Sequence, residues 1–187
     1  MNYVNKFDGD RIFLSLSQSD DLTLYNDWLN DFEINLTFGR SHIVYNEEKT
    51  AEYIKDYNDS NDKFFFVIVK KGEASENNQA IGIGLLYDVD FVHRKATLGL
   101  LLDKSFQSKG YGKESTNLLL EYAFNIFNLN NVMLYAIDFN TKVIKMYEDL
   151  GFKIIGKRRE AYPINNELYD EVYMDILKKE FNDKNKS

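Results

Sequence analysis

The first sixty residues carry one strand pattern and two helix patterns. Apolar and polar residues alternate over residues 11–16, as in a strand with one buried face. Residues 20–29 begin with a capping aspartate and continue with apolar positions at helical spacing. Residues 46–57 begin with a capping asparagine and two glutamates, which favour a helix start. Between them, residues 31–43 show neither period and are predicted to be irregular.

The remaining two thirds of the chain show strand and helix patterns in turn. Three runs rich in apolar residues predict an antiparallel meander: residues 64–70, 80–87 and 95–102. The patterns that follow predict a helix, a strand, a helix and two strands, in this order: residues 115–127, 131–137, 140–150, 152–158 and 168–177. Gly151 stands where a left-handed cap would end the second helix. A turn is predicted at residues 163–166, and the polar tail 182–187 is expected to fray.

These elements predict an α/β fold with a mixed, mostly antiparallel central sheet flanked by helices. The strands at residues 96–102 and 131–137 are joined by a helix, so they are expected to be parallel neighbours. The length of 187 residues fits one domain over residues 1–187.

Composition excludes several classes of function. The chain has no cysteine, which excludes disulfides, thiolate metal sites and a cysteine acyl-enzyme. No signal peptide or membrane-spanning run is apparent, and a cytoplasmic location is expected. The net charge of −7 argues against nucleic acid as a partner. That acidity either keeps the protein soluble or favours a cationic substrate.

The candidate chemistry begins in a loop with two glycines between a strand and a helix. Residues 107–113 read Q-S-K-G-Y-G-K. Gln107 stands where a Walker A loop needs its first glycine, and Ser115 stands where the dinucleotide-binding motif needs its third. Glycines let the main chain approach a ligand closely, and N–H groups at a helix start attract an anion. The loop is therefore a candidate phosphate cradle of the form Q-x-x-G-x-G.

This loop resembles the acetyl-CoA pyrophosphate loop of the GNAT N-acetyltransferase superfamily. A second mark lies downstream, where Asn140, Tyr147 and Gly151-Phe152 match an N-x(6)-Y-x(3)-G-F arrangement. The segment 169–174 is similar to the branch that contains ribosomal-protein N-terminal and spermidine acetyltransferases. The resemblance covers roughly residues 64–181.

The resemblance implies acetyl-CoA as co-substrate and two strands that splay to admit its pantetheine arm. Lys109 and Lys113 would add positive charge beside the pyrophosphate. The implied cofactor-binding residues are Leu100, Leu101, Leu102, Gln107, Ser108, Lys109, Gly110, Tyr111, Gly112, Lys113 and Asn140. For Asn140, a role as helix N-cap is the alternative.

The resemblance implies that Tyr147 is the general acid, since a phenol is protonated at neutral pH. The alternative is a core aromatic on the inner face of its helix. Many relatives carry a glutamate one position after the residue that matches Ala96, and here that position is Thr97. A carboxylate base on this strand is therefore absent. The substitutes are Glu33, also a candidate substrate-binding residue, and His42 and His93, and each of the three is more typical of a surface position.

The expected reaction is direct acetyl transfer to a primary amine in a ternary complex. At pH 7, deprotonating a lysine-like amine costs about 4–5 kcal/mol, against about 1–1.4 kcal/mol for an α-amine. Without an obvious base, the α-amine of a peptide or protein N-terminus is slightly favoured. The alternatives are a polyamine or small antibiotic-type amine, or a non-catalytic acyl-CoA-binding module. No metal is expected, because the two histidines belong to no ligand-spaced motif, and a homodimer is left open.

Overall fold

The computed structural model describes residues 3–38 and 41–184, which form one eight-stranded sheet flanked by helices. The strands in chain order are β1 Phe7–Asp8, β2 Ile12–Ser15, β3 Phe64–Lys70, β4 Gln79–Asp90, β5 Lys95–Leu102, β6 Asn131–Ile137, β7 Lys153–Ile164 and β8 Glu167–Leu177. Their spatial order is β1-β2-β3-β4-β5-β6-β8-β7.

All neighbouring strands are antiparallel except β5 and β6, which run parallel. This parallel pair is short, because only Lys95–Thr97 and Asn131–Met133 are in register. Past Thr97 and Met133 both strands continue without pairing to each other, so the sheet splits between them. The predicted fold class, including the splayed parallel pair, is confirmed.

The helices of the described residues lie on the two faces of the sheet. They are α1 Leu22–Asn30, α2 Phe32–Phe38, α3 Glu47–Asp59, α4 Tyr111–Glu121, α5 Thr141–Leu150 and α6 Lys178–Lys184. Side chains of α1, α2 and α3 form one buried cluster with the sheet, and those of α4, α5 and α6 form another on the opposite face. Across residues 3–38 and 41–184, none of these helices has the length and apolar character that crossing a membrane requires.

Strand β5 contributes to both clusters because successive side chains of a strand point to opposite faces. Leu98 and Leu102 pack in the α4–α6 cluster, whereas Leu101 packs in the α1–α3 cluster. A Cβ atom added to Gly99 would lie 3.2 Å from the Phe38 ring of α2. The split in the sheet therefore lies between two separate layers of apolar side chains.

Two N-terminal predictions are wrong. Residues 31–43 were expected to be irregular, but they contain α2, which starts where Asp31 Oδ1 accepts the N–H of Ile34 at 3.1 Å. The capping aspartate at position 20 lies in a short 3₁₀ turn instead, and α1 begins only at Leu22. The capping asparagine of α3 is confirmed, since Asn46 Oδ1 accepts the N–H of Lys49 at 2.8 Å.

The second half differs mainly in element boundaries. Helix α4 begins at Tyr111, four residues earlier than predicted, and passes into one π-helical turn at Tyr122–Ile126. Pro163 belongs to β7, and the turn to β8 is reduced to Asn165 and Asn166, which both have positive φ. Residues 182–184, expected to fray, are the end of α6, while residues 185–187 lie outside the described residues.

Candidate functional site

A cavity of about 620 Å³ opens where β5 and β6 separate. We call it the central cavity. Ten of the predicted site residues line it: Leu100, Leu101, Leu102, Gln107, Ser108, Gly110, Gly112, Lys113, Asn140 and Tyr147. The structure thus brings together the glycine loop, the unpaired part of β5, and Asn140 and Tyr147 of the second motif.

The central cavity reaches both faces of the sheet. On the α5 side it is lined by Val143 and Met146, which pack on the α4–α6 cluster. On the α2 side it is lined by Phe38 and Tyr87, which pack on the other cluster. The two clusters lie on opposite faces of the sheet, and the gap between β5 and β6 connects them. Two ligands that enter from opposite faces could therefore meet inside it.

The glycine loop is shaped by two residues in the left-handed region. Ser108 has φ 58° and Gly110 has φ 86°, and α4 begins directly after Gly110. Glu114 is the first residue whose N–H bonds within the helix, to the carbonyl of Gly110 at 3.1 Å. The N–H groups of the three residues before it are therefore available to an anion at the positive end of the helix dipole.

Gln107 connects this loop to the end of β5. Its Nε2 atom donates to the carbonyl of Leu102 at 2.9 Å. A Cβ atom added to Gly112 would lie 3.3 Å from Met146 Sδ, so the second glycine lets α4 approach α5 closely. The first glycine therefore sets the turn, and the second sets the packing beside the central cavity.

Arg11 holds the glycine loop, although no sequence motif predicts this role. Its main-chain N–H and Nε donate to the two carboxylate oxygens of Glu114 at 2.7 and 2.8 Å. Its Nη1 donates to the carbonyl of Lys109 at 3.2 Å, and its guanidinium lies 4.5 Å from the centre of the Tyr111 ring. The main-chain carbonyl of Lys109 and the ring of Tyr111 thus contact Arg11, and neither residue is among those that line the central cavity. No local signal marks Arg11, because 98 positions separate it from Lys109.

A second, shallower cavity of about 370 Å³ lies at the outer side of the same helix start. It shares Gly110 and Lys113 with the central cavity and is also lined by Arg11. Two cationic side chains therefore stand beside the available N–H groups, and one of them, Arg11, is paired with Glu114, which also lines this cavity. This arrangement suits a ligand that carries more than one phosphate group.

Tyr147 is buried in α5 but lines the central cavity. Its side chain is 7% exposed, and its ring centre lies 5.4 Å from that of Phe152. Within residues 3–38 and 41–184 its hydroxyl makes no hydrogen bond. Burial raises the pKa of Tyr147 above the ordinary value of a phenol, because the charged phenolate is poorly solvated there. The group therefore carries its proton at neutral pH and has it to donate.

Asn140 occupies the N-cap position of α5, but its side chain accepts no capping hydrogen bond. The main-chain carbonyl of Asn140 accepts the N–H groups of Val143 and Ile144, both at 3.1 Å. Asn140 lines the central cavity, and its side chain makes no capping hydrogen bond. The N-cap position of Asn140 is confirmed, and its contact with a ligand stays a prediction.

None of the three substitute bases lines the central cavity. Glu33 is exposed and pairs with Lys104 at 2.7 Å. His93 Nδ1 lies 2.6 Å from Asp90 Oδ2 at the turn after β4, and His42 is exposed. Thr97, at the position of the family glutamate, is buried. In the described part of the chain, no three side chains are grouped so as to hold a metal ion.

Comparison with known proteins supports the same family. Residues 11–153 match the family model described as "Acetyltransferase (GNAT) domain". Spermidine N(1)-acetyltransferase of Vibrio cholerae is 29% identical over 135 residues, which cover 72% of this chain and 75% of that protein. The "Putative ribosomal N-acetyltransferase YdaF" of Bacillus subtilis is 35% identical over 100 residues, 54% of this chain and 55% of that one.

A solved structure shares the fold. Spermidine N-acetyltransferase from Vibrio cholerae, crystallised with CoA and spermine, superposes with a TM-score of 0.84 at 23% identity. The match covers 91% of this chain and 98% of that chain. The family match spans most of the chain and includes the glycine loop, Tyr147 and the split sheet. The chain belongs to the GNAT acetyltransferase family and is an N-acetyltransferase with acetyl-CoA as its co-substrate.

Proposed function

We propose that this enzyme acetylates a primary amine of a polyamine, by direct attack of the amine on the thioester of acetyl-CoA. The observation that carries the proposal is the central cavity, which joins the glycine loop on one face of the sheet to an opening beside α2 on the other. Donor and acceptor would then enter from opposite faces. Direct transfer requires both reacting groups to lie in the same cavity, and the gap between β5 and β6 could hold both.

The donor half of the proposal rests on the helix start and on β5. The pyrophosphate of acetyl-CoA would be held by N–H groups of residues 108–113, with Lys113 and Arg11 nearby. The pantetheine amides would bond to main-chain groups of Leu100–Leu102, which β6 leaves unpaired. The side-chain amide of Asn140 would add one contact from α5. The thioester would then lie between the two strands, near Tyr147.

The side chains that line the central cavity determine which proton transfers the protein could assist. N–H groups of β5 near Leu100 would polarise the thioester carbonyl, and Tyr147 would protonate the thiolate as it leaves. No aspartate, glutamate or histidine is among the described residues that line the cavity. The amine would therefore lose its proton to water before it attacks. The rate should rise with pH toward the pKa of the amine, about 10.4 for a lysine-like group.

Charge and relatives favour a polyamine as acceptor. The chain carries a net charge of −7, which attracts a polycation. Relatives named for spermidine acetylation align over about seven tenths of the chain, 72% in the Vibrio cholerae case. The initial preference for an N-terminal α-amine rested on the missing base alone, and these comparisons favour the alternative.

A peptide or protein α-amine is the second candidate. Thr97 in place of a carboxylate favours an amine that is easily deprotonated, and the relative named for ribosomal acetylation is 35% identical over 54% of the chain. Release of free thiol from acetyl-CoA separates the two candidates. The assay compares kcat/KM for spermidine with that for a short peptide that has a free N-terminus and no lysine.

We expect kcat/KM for spermidine to exceed that for the peptide by at least about tenfold, a difference of about 1.4 kcal/mol in transition-state binding. A reaction without any acceptor measures hydrolysis and serves as the control. A preference for the peptide would reverse the order of the two candidates. If neither acceptor raised thiol release above this control, both candidates would be refuted.

A further inference from the structure

The outer part of the sheet, beyond the cover of α1–α3, carries an open row of tyrosines beside a glutamate. Tyr135 of β6 lies opposite Tyr173 of β8 in register, and Glu171 is two residues from Tyr173 on the same face. Tyr162 of β7 lies close enough to Tyr135 and Glu171 to interact electrostatically with both. We call these four residues the tyrosine face. It lies on the α2 side of the sheet, where the acceptor would enter.

The tyrosine face continues the central cavity. Tyr135 lines that cavity and is 38% exposed, and its ring centre lies 6.0 Å from that of Tyr173. The hydroxyl of Tyr173 donates to Glu171 Oε2 at 2.9 Å. A molecule leaving the cavity past Tyr135 therefore meets aromatic rings first and then the carboxylate.

A bulge in β7 shapes the far edge of the tyrosine face. Residues 159–161 stand between the register pairs Arg158–Glu171 and Tyr162–Tyr169, where β8 has only Asp170. Such a bulge re-aims the residue that follows it. The side chain of Ser41, which follows α2 in the chain, lies near the hydroxyl of Tyr162. The tyrosine face is thus bounded on one side by the α2 region, which also borders the central cavity.

There is room for a ligand above these rings. Gly156 of β7 lies opposite Tyr173, and a Cβ atom added to Gly156 would meet nothing within 4 Å. Glu171 is largely buried, its side chain being 15% exposed. Its nearest cation, Arg158 Nη1, lies 3.7 Å away on a side chain that is 71% exposed. The carboxylate therefore keeps capacity to accept hydrogen bonds from another cation.

We propose that the tyrosine face binds a second ammonium group of the polyamine while its first amine reacts in the central cavity. The inference rests on the proposed function and names the residues that recognise the acceptor. Glu171 pairs with the ammonium, and the rings of Tyr135, Tyr162 and Tyr173 surround the cation and its methylene chain. Carboxylates and aromatic faces both attract ammonium groups, and a monoamine has no second charge to place there.

The test compares the kcat/KM ratio of spermidine to butylamine in the wild-type enzyme, two test variants and one control variant. Glu171→Gln removes the charge and keeps the shape, and we expect the ratio to fall about tenfold, as loss of a charge-assisted hydrogen bond predicts. Glu52→Gln removes the same charge from an exposed position of α3 and should leave the ratio unchanged. Calorimetric binding of CoA by each variant verifies that it is folded.

Tyr173→Phe is the second variant, because it removes only the hydroxyl that donates to Glu171. We expect the ratio to fall in the same direction by a smaller factor. Normal acetylation of spermidine with an unchanged ratio in Glu171→Gln and Tyr173→Phe would overturn this inference alone. A wild-type enzyme that does not acetylate spermidine would overturn the proposed function and this inference with it. An equal loss in Glu52→Gln would reduce the effect to net charge and also overturn the inference.

Discussion

At the scale of single residues, Tyr147 combines a core position with a reactive group. Its ring packs against Phe152, and the residue also lines the central cavity. Burial raises its pKa, so the protonated form dominates over a wider pH range than for an exposed tyrosine. The two interpretations of this residue, core aromatic and acid, are compatible because a buried residue can still line the cavity.

Tyr147→Phe should lower kcat by about 100-fold or more, the usual contribution of a general acid, and leave CoA binding nearly unchanged. Because the pKa of Tyr147 is raised, its ionisation should not limit the wild-type rate up to about pH 9, and the rate should rise with pH as the amine loses its proton. Thiol release measured at several pH values gives kcat and its pH dependence, and calorimetry gives the affinity for CoA.

Tyr122→Phe is the matched control, because it removes a buried phenol hydroxyl that does not line the central cavity. It should keep normal turnover. An equal loss of kcat in Tyr122→Phe would assign the effect of Tyr147→Phe to packing. Wild-type turnover in Tyr147→Phe would remove Tyr147 from the mechanism.

Residues of the site could be predicted where their signal is local. Gln107, Gly110 and Tyr147 stand at characteristic spacings within short motifs, and all three line the central cavity. Arg11 and Tyr135 carry no such signal. Arg11 meets the loop only because β2 and α4 pack together, and Tyr135 meets the cavity only because β6 leaves β5. Contacts between distant parts of the chain have no signature in a single sequence.

At the scale of elements, β5, the glycine loop and α4 act as one unit. Gln107 ties the loop to the end of β5, and Arg11 ties it to the first turn of α4. The left-handed conformation of Gly110 is what allows the helix to start immediately after the loop. A residue with a Cβ atom at this position carries a conformational cost, and that cost falls on the proposed phosphate site.

Gly110→Ala should lower the free energy of unfolding by about 1–2 kcal/mol, the cost of a left-handed conformation for a residue other than glycine. It should also weaken CoA binding, because the added Cβ would lie 3.2 Å from Arg11 Nη2. Urea unfolding and calorimetry measure the two effects.

Gly156→Ala in β7 is the control for Gly110→Ala, since its Cβ atom would enter open space and its φ is not positive. It should change the free energy of unfolding by no more than about 0.5 kcal/mol. If Gly110→Ala bound CoA with wild-type affinity, the loop would not be the phosphate cradle.

Strand β3, which is buried on both faces, was predicted with its observed bounds. Strand β3 is a continuous run of Phe, Val and Ile, and the observed strand matches residues 64–70. Helix α2 was missed because it has only seven residues, too few to establish a period, and it depends on packing against β5. The start of α4 was placed late because two glycines in Gly110–Gly112 are typical of a loop, although the second lies inside the helix.

At the scale of the whole molecule, the split sheet would let an anionic donor and a cationic acceptor enter one cavity from opposite faces. The cations Arg11 and Lys113 stand at the side of the helix start, where an anionic donor would bind. The chain as a whole is negative, at −7, which would attract a cationic acceptor.

Salt should therefore affect the two kinds of acceptor differently. Raising the salt concentration from about 0.1 M to about 1 M shortens the Debye length from about 10 Å to about 3 Å, which screens the attraction between the negative enzyme and a polycation. With acetyl-CoA saturating, kcat/KM for spermidine should fall several-fold over this range, whereas kcat/KM for butylamine should fall much less because it carries one charge. Potassium chloride and a second salt at equal ionic strength distinguish screening from specific ion binding. Equal slopes for spermidine and butylamine would mean that the net charge of the chain contributes nothing to the choice of acceptor, and recognition would then depend on contacts inside the cavity alone.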